Sequence, residues 1–236
     1  TSIRHRRVPG SPLRCHASPT KFGGKSDNQR ELSRPFPCIE PDAAPAGGGK
    51  GTIMVEATFT KSMRALLSRT KESTLLSYEC AKDERFSRTY GNCRIHLNDG
   101  IIEVANEPKQ LPFFGAMESM TCFTCHPIRN EGQLKRDEFY LPYSTFPVGG
   151  KINSVEIVTD YVNVNHGAYQ VSFDMALLFH MDKKTLMLAR DTWFSQLLTV
   201  TDERSINTIF PIEEVINSWS NYGEYAVDVK RMTTKL

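Results

Sequence analysis

A run in the last third of this chain alternates apolar and polar side chains over nine residues. The apolar members are Tyr169, Val171, Phe173, Met175 and Leu177, and those between them are Gln170, Ser172, Asp174 and Ala176. A period of two is typical of a strand with one face in the core and the other toward solvent. The run therefore predicts a strand in a sheet that is covered on one face.

Two neighbouring segments extend this sheet. Residues 154–165 read as a strand that ends in the turn 165–167, and residues 185–189 read as a strand that follows the turn 182–184. Successive strands with short connections form an antiparallel meander. Further upstream, Asn98-Asp99-Gly100 separates two β-rich segments, 93–97 and 101–104, and predicts a hairpin.

The remaining periodic segments complete the predicted architecture. Residues 61–71 and 211–219 have the apolar spacing of short helices, and 52–59 and 225–229 are candidate strands. We predict an α+β domain over 53–236, built on a curved antiparallel sheet. Residues 105–150 are interrupted by proline, so we expect a long irregular excursion there. These prolines are Pro108, Pro112, Pro127, Pro142 and Pro147.

Residues 1–52 differ in composition from this domain. They contain seven prolines and the run Gly47-Gly48-Gly49, with nine Lys or Arg against four Asp or Glu, a net charge of +5. Such a segment buries too little apolar surface to offset the entropy lost on ordering. We therefore expect a long extended tail that gains its shape by lying on other protein subunits.

The start of this tail also suggests a location. Residues 4–25 are rich in Arg, Ser and Pro, and the first acidic residue is Asp27. This composition is typical of an organellar transit peptide rather than of a secretory signal, which needs an apolar stretch. We expect a nuclear-encoded protein of the chloroplast, or alternatively of the mitochondrion, whose start at Thr1 reflects processing or truncation.

Charge and motif content exclude several classes of function. The whole chain carries 29 Lys and Arg and 27 Asp and Glu. This near-balance argues against a nucleic-acid binder with a strongly basic surface. The sequence contains no run of about 18 apolar residues, so no membrane-spanning helix is predicted. The sequence also contains no G-x-S-x-G, H-E-x-x-H or complete phosphate-binding loop, so no catalytic site is predicted from motifs.

One cysteine motif indicates a cofactor. Cys122-Phe-Thr-Cys125-His126 matches C-x-x-C-H, in which two thiols attach haem c and the histidine binds its iron. The same three residues with a distant fourth ligand would instead suit a zinc ion. Two free thiols in a loop are the alternative to either site.

A second group of residues has the chemistry needed to attach a bilin. The thiols are Cys80 and Cys93, and the charged residues near them are Asp83, Arg85, Arg88 and Arg94. A covalently bound open-chain tetrapyrrole needs a thiol for its thioether, guanidinium groups for its propionates and a carboxylate for its pyrrole nitrogens. All three residue types occur here within fifteen positions.

Three functional hypotheses follow from the sequence. The first is a non-catalytic scaffold or linker subunit of a large organellar assembly, in its preferred version a phycobilisome-type chloroplast light-harvesting antenna linker with a possible bilin. The second is a haem c or zinc protein that uses the C-x-x-C-H motif. The third is a small-ligand-binding or enzymatic domain with a cavity on the concave sheet face of residues 169–177.

Overall fold

A computed structural model describes residues 54–83, 88–129, 143–190, 192–220 and 225–236. The predicted tail over residues 1–52 lies outside these ranges, as does part of the predicted excursion. The described residues form one ten-stranded sheet and two short α-helices. No helix in the described ranges has the length and apolar character needed to cross a membrane.

The strands and helices occur in the following order along the chain. The elements are β1 Met54–Ala57, α1 Lys61–Arg69, β2 Thr74–Asp83, β3 Arg88–Leu97, β4 Gly100–Phe113, β5 Ala116–Ile128, β6 Ser144–Val164, β7 Tyr169–Met181, β8 Thr185–Arg190, β9 Leu197–Thr201, α2 Ile212–Ser220 and β10 Val227–Lys235. Two single-turn 3₁₀ helices lie at Asn165–Gly167 and Ile206–Thr208.

Strand pairing is antiparallel except at one edge. The order is β1-β7-β8-β9-β3-β2-β6-β10, with β4 on β3 and β5 on β4, and β1 runs parallel to β7. Strand β6 is 21 residues long and pairs with three strands, with β10 along its residues 156–164 and with two others in succession. Its residues 144–151 pair with β2, and its residues 152–164 pair with β7. Strand β6 therefore joins the first and last thirds of the described chain.

Several predicted elements are confirmed. Strands β6, β7 and β8 form the meander, and β3 and β4 form the hairpin, with Leu97 opposite Gly100. Helix α1 begins where the Thr60 hydroxyl accepts a bond from the backbone N–H of Met63, an N-cap. The strands predicted at 52–59 and 225–229 are observed with the shifted bounds of β1 and β10. Strands β2, β5 and β9 were not predicted.

The predicted irregular excursion at 105–150 is wrong for most of its described part. Residues 105–113 continue β4, residues 116–128 form β5, and residues 144–150 begin β6. Beyond Ala105, β4 pairs only with β5 among the described strands, and β5 pairs only with β4. Pro108, Pro112 and Pro127 therefore lie where a strand lacks a second neighbour, which is the position that tolerates a missing N–H.

The prediction of a solvent-facing side for the β7 run is also wrong. Nearly all of β7 is buried, including Ser172, Asp174 and Ala176 between the apolar positions. The pairing of β7 with β6 shifts register between Val158 and Thr159. Beyond this irregularity, the side chains of β7 that pointed to one face of the sheet are replaced on that face by their sequence neighbours. Met175 and Ala176 consequently pack in the same core cluster, whereas Leu177 packs in the other.

The core consists of two clusters on the two faces of this sheet. The first contains Phe59, Leu67 of α1 and side chains of β2–β9, and the second contains Trp193, Val215 of α2 and side chains of β1 and β4–β8. Phe59 stacks on Phe123 with ring centroids 5.3 Å apart. Because a core cluster covers each face of the sheet, both the apolar and the polar side chains of the central strands are shielded from solvent.

Candidate functional site

Two rows of side chains cross strands β2, β3, β4 and β5 at neighbouring register positions. The thiol row comprises Cys80, Cys93, Val104 and Cys125. The charged row comprises Glu79, Arg94, Glu103 and His126. Because successive residues of a strand point to opposite faces, the two rows lie on opposite sides of the sheet. Most of the cofactor-binding residues predicted from the sequence fall in one of these rows.

The thiol row packs in the first core cluster. Cys80 and Cys93 are completely buried, and Cys125 is nearly so. Burial raises the pKa of Cys125 to about 12, and burial also raises the pKa of Cys122. Metal ligation and thioether chemistry both proceed through the thiolate. Cys122 and Cys125 are therefore held as neutral thiols, and Cys80 and Cys93 are inaccessible to solvent.

The C-x-x-C-H residues do not converge. Cys122 packs in the second core cluster, whereas Cys125 packs in the first. On an extended strand the two are about 10 Å apart along the chain. The described residues contain no group of three His, Cys, Asp or Glu side chains placed to hold a metal ion. The structure does not bring Cys122 and Cys125 together around one centre, and the haem or zinc site of Cys122, Cys125 and His126 stays a prediction.

In the charged row, Arg94 lies between the carboxylates of Glu79 and Glu103. Arg94 Nη1 lies 3.3 Å from Glu79 Oε1, and Arg94 Nε lies 3.2 Å from Glu103 Oε2. His126 Nε2 approaches Glu103 Oε1 at 3.4 Å. The Arg94 guanidinium also lies over the Tyr143 ring at 4.5 Å. Arg94 and His126 thus have protein partners already, and the row links the strands electrostatically.

The residues of the bilin hypothesis are divided between the two faces. Cys80 and Cys93 point into the core, and Arg94 is on the charged row. Arg88 is exposed at the far end of β3. Arg85 and the side chain of Asp83 lie outside what the structure describes, so their part in a pigment site stays a prediction. The thiols and Arg94 are not brought together around a common ligand.

A cavity of about 560 Å³ lies at one end of the first core cluster. Its lining comes from β2, β6, the β7–β8 turn, β8 and β9 together with the residues that follow β9. The lining residues are Tyr78, Pro147, Val148, Lys183, Lys184, Thr185, Leu186, Val200, Thr201, Asp202 and Arg204. The predicted cavity lining, the 169–177 face, is wrong, because that face is filled by the core.

The cavity has an apolar floor and a charged rim. Tyr78, Leu186 and Val200 belong to the first core cluster, and they form the floor. Lys183 and Arg204 are exposed at the rim. Three basic residues of the lining, with Lys184 included, face a single carboxylate, that of Asp202. The rim therefore has a net positive charge.

Two contacts set the shape and chemistry of this cavity. Lys184 Nζ donates a hydrogen bond of 2.5 Å to the carbonyl oxygen of Val148, which fixes the β7–β8 turn against β6. Tyr78 stacks on Phe146 with ring centroids 4.9 Å apart. Burial, with smaller effects of nearby negative groups that include Asp202, raises the pKa of Tyr78 to about 12. Tyr78 therefore keeps its proton throughout the physiological range.

The sequence pattern predicts only a turn at residues 182–184, and it contains no signal that singles out Tyr78 or Arg204. The Lys183-Lys184 pair was the one local signal. Two adjacent lysines in a turn are ordinary surface residues unless the fold places an apolar floor beside them. The remaining lining residues lie up to 106 positions away from this pair in the chain, the distance from Tyr78 to Lys184.

A second group of polar residues is sealed inside the fold. The guanidinium Nη2 of Arg190 donates to Thr121 and to the carbonyl oxygen of Trp193, and its carbon lies 5.2 Å from the Phe173 ring centroid. Asp174 accepts from Phe59 N at 2.6 Å and from Thr159 Oγ1 at 2.5 Å. Arg190 and Asp174 are both completely or almost completely buried. They are linked to the core rather than to solvent.

Comparison with protein-family models, with curated proteins and with solved structures finds no match to this chain, so the cavity geometry is the basis for a functional assignment.

Proposed function

We propose that this domain binds a small molecule that has an apolar body and one anionic group. The single observation that carries the proposal is the cavity at the end of the first core cluster, where an apolar floor adjoins a positively charged rim. A volume of about 560 Å³ is within the range of small-ligand sites, which are usually about 300–1,000 Å³.

The floor supplies the apolar part of the binding energy. Tyr78, Leu186 and Val200 line the floor but are almost completely buried, so the apolar surface that they offer a ligand is small, and each Å² removed from water is worth about 25 cal/mol. The protonated Tyr78 hydroxyl adds a polar group at the floor. We propose that the apolar part of the ligand binds against this floor.

The rim selects the charge of the ligand. Arg204 presents a planar set of N–H donors that matches a carboxylate, sulfonate or phosphate, and Lys183 adds a second positive charge. Asp202 on the same rim disfavours a ligand whose negative charge extends toward it. We therefore propose a monoanionic ligand, with its charged group between Lys183 and Arg204.

Isothermal titration with two matched probes tests this proposal. Sodium octanoate and heptylamine hydrochloride share the same heptyl chain and differ in the charge of the head group. We expect octanoate to bind at least about tenfold more tightly, since a hydrogen bond to a charged group is worth about 1.5–3 kcal/mol. Replacing both Lys183 and Arg204 with Gln should remove most of this preference.

The matched control is Lys230→Gln, which removes one exposed positive charge from β10, away from the cavity. Octanoate binding should be unchanged in this variant. Equal affinity for the two probes, or full octanoate binding by the double variant, would overturn the proposal.

A second candidate is the scaffold or linker subunit of an organellar assembly, with the chloroplast antenna as its preferred setting. It is supported by the composition of residues 1–52 and by β5, a 13-residue strand that pairs with β4 alone in the described part of the chain. An edge strand presents backbone groups to which another chain can pair, and on β5 the N–H of Thr121 is already taken by the carbonyl oxygen of Trp193. In this proposal the tail and this edge contact neighbouring subunits.

Limited proteolysis tests the second candidate. Residues 1–52 should be cleaved at once in the isolated protein and protected in the assembled complex, and equal cleavage in both states would contradict the proposal. A visible absorption band without a Soret maximum in the purified complex would support the bilin version. A Soret band that survives denaturation would instead indicate covalently bound haem.

A further inference from the structure

We propose that Cys80 and Cys93 form a reversible intramolecular disulfide, which makes this pair a redox modification site. The two residues are directly opposite each other in the antiparallel pairing of β2 with β3. Both side chains lie in the same core cluster, and both cysteines are reduced in this structure. This site is separate from the ligand cavity and does not depend on the function proposed for it.

The register places the two cysteines within bonding range. Directly opposed residues of antiparallel strands have Cα atoms about 4.5 or about 5.5 Å apart. A disulfide accepts Cα separations of about 4.4–6.8 Å, so either kind of pair can be bridged without moving the strands apart. Opposed Cβ atoms are about 4.5–5.5 Å apart, against about 3.8 Å in a typical disulfide. Closure therefore requires the Cβ atoms to approach by about 0.7–1.7 Å.

An irregularity in the ladder lies beside the pair. The β2–β3 register shifts between Cys80 and Lys82, immediately after the cysteine. Such a shift interrupts regular pairing and bends the strand locally. Cys80 and Cys93 are therefore the last regularly paired residues before this irregularity.

No other described cysteine can replace either partner. Cys125 is two strands away from Cys93 in the thiol row, with Val104 between them, so their Cα atoms are about 9–10 Å apart. This separation exceeds the limit of about 7 Å for a disulfide. Cys122 lies in the second core cluster, on the other face of the sheet. The geometry thus selects one pair among the four described cysteines.

The reaction is a two-electron oxidation of the dithiol. With hydrogen peroxide, one thiolate displaces hydroxide to give a sulfenic acid, and the second thiol attacks that sulfur and releases water, so two thiols and one peroxide give one disulfide and two waters. A dithiol reductant reverses it by thiol–disulfide exchange. Because both thiols are completely buried, oxidation must await local opening of β2 from β3 and should be slow.

Peptide mapping of the full chain tests the proposal. The folded protein is incubated with diamide, an azo compound that takes up two electrons and two protons and becomes a hydrazine. The remaining thiols are blocked, and the protein is digested with trypsin without reduction. We expect a cross-linked species that joins peptides 72–82 and 89–94, two hydrogen atoms lighter than their sum, and we expect dithiothreitol to abolish it.

Single cysteine variants show which two residues form the disulfide. Cys93→Ala and Cys80→Ala should each remove the cross-linked species, while Cys125→Ala should leave it in place. The wild-type map alone decides the outcome if a variant fails to fold. Recovery of peptides 72–82 and 89–94 with both thiols blocked after prolonged diamide treatment would overturn the proposal. A disulfide from either cysteine to Cys15, Cys38, Cys122 or Cys125 in its place would do the same.

Discussion

Arg231 on β10 holds Asp160 on β6 through two hydrogen bonds, from Nε to Oδ1 and from Nη2 to Oδ2, both 2.7 Å long. Asp160 is completely buried, and Arg231 is nearly so. The remaining guanidinium nitrogen donates to the carbonyl oxygen of Phe210 at 2.8 Å. This ion pair attaches the C-terminal strand and the segment before α2 to the centre of the sheet.

Replacing Arg231 with Met should destabilise the domain by about 3–5 kcal/mol, because the carboxylate of Asp160 is left buried without its partner. Urea unfolding measures the change. The control variant Lys230→Met, at an exposed neighbouring position, should change stability by no more than about 0.5 kcal/mol. A loss of similar size in both variants would show that the ion pair is not the cause.

Asp174 should make stability fall as the pH rises above the ordinary aspartate range. Burial raises its pKa, although its bonds from Thr159 and Phe59 and the charge of Arg64 oppose that shift. The folded state therefore keeps the proton at pH values where the unfolded state has lost it, and stability declines between the ordinary pKa of 3.8 and the raised pKa. Below both pKa values this loss is absent.

The comparison of wild type with Asp174→Asn, by urea unfolding from about pH 4 to about pH 7, isolates this effect. The stability of wild type relative to the variant should decrease as the pH rises. Asp228→Asn, at an exposed site on β10, should show a constant difference from wild type. A constant difference for Asp174→Asn as well would refute the assignment.

Two adjacent glycines in β6 should respond differently to substitution. A Cβ on Gly150 would lie 2.8 Å from Met181 Sδ, whereas Gly149 has open space but a φ of +66°. Gly150→Ala should destabilise by about 1–3 kcal/mol through overpacking. Gly149→Ala should cost about 1–2 kcal/mol through its left-handed backbone, and Gly149→Asn should cost less.

A double-mutant cycle separates these causes. Combining Gly150→Ala with Met181→Ala removes the clash, so the double variant should be more stable than the sum of the single changes predicts. Gly149→Ala combined with Met181→Ala should be additive. Additivity in both combinations would mean that Met181 does not limit the space at Gly150.

Cys125 should be almost inert in the folded protein. Its pKa of about 12 leaves a thiolate fraction of about 10⁻⁴ at pH 8, against about 10⁻¹ for a thiol at the ordinary value of 9.0. Alkylation by iodoacetamide, followed by peptide mapping, should be at least about 100-fold slower in the native state than in urea. Comparable rates in the two states would show that the strand is open to reagent.

The local elements of this fold were predictable, because their signals lie within a few residues. Asp99-Gly100 indicated the β3–β4 hairpin, and the apolar spacing around Leu67 indicated α1. The proline content of residues 105–150 misled the prediction, since proline excludes a central strand but not an edge strand. Whether a strand lies at an edge depends on distant partners, which a local pattern does not contain.

The candidate site was less predictable than the fold. The C-x-x-C-H spacing suggested one centre, but β5 is extended, and its alternation sends Cys122 and Cys125 to different core clusters. Conversely, the cavity joins Tyr78 of β2 to Arg204 after β9, and no motif connects them. The residues of a ligand site that is built from separate strands are far apart in the sequence, so they form no recognisable motif.

By itself the sequence determined an antiparallel α+β domain, because side-chain periodicity and turn chemistry are local properties. Only the tertiary structure decided that β1 runs parallel to β7, that β6 bridges β2 and β7, and that Cys80 lies opposite Cys93. Register between strands is set by how two core clusters fill space at once. That condition involves residues from every part of the domain.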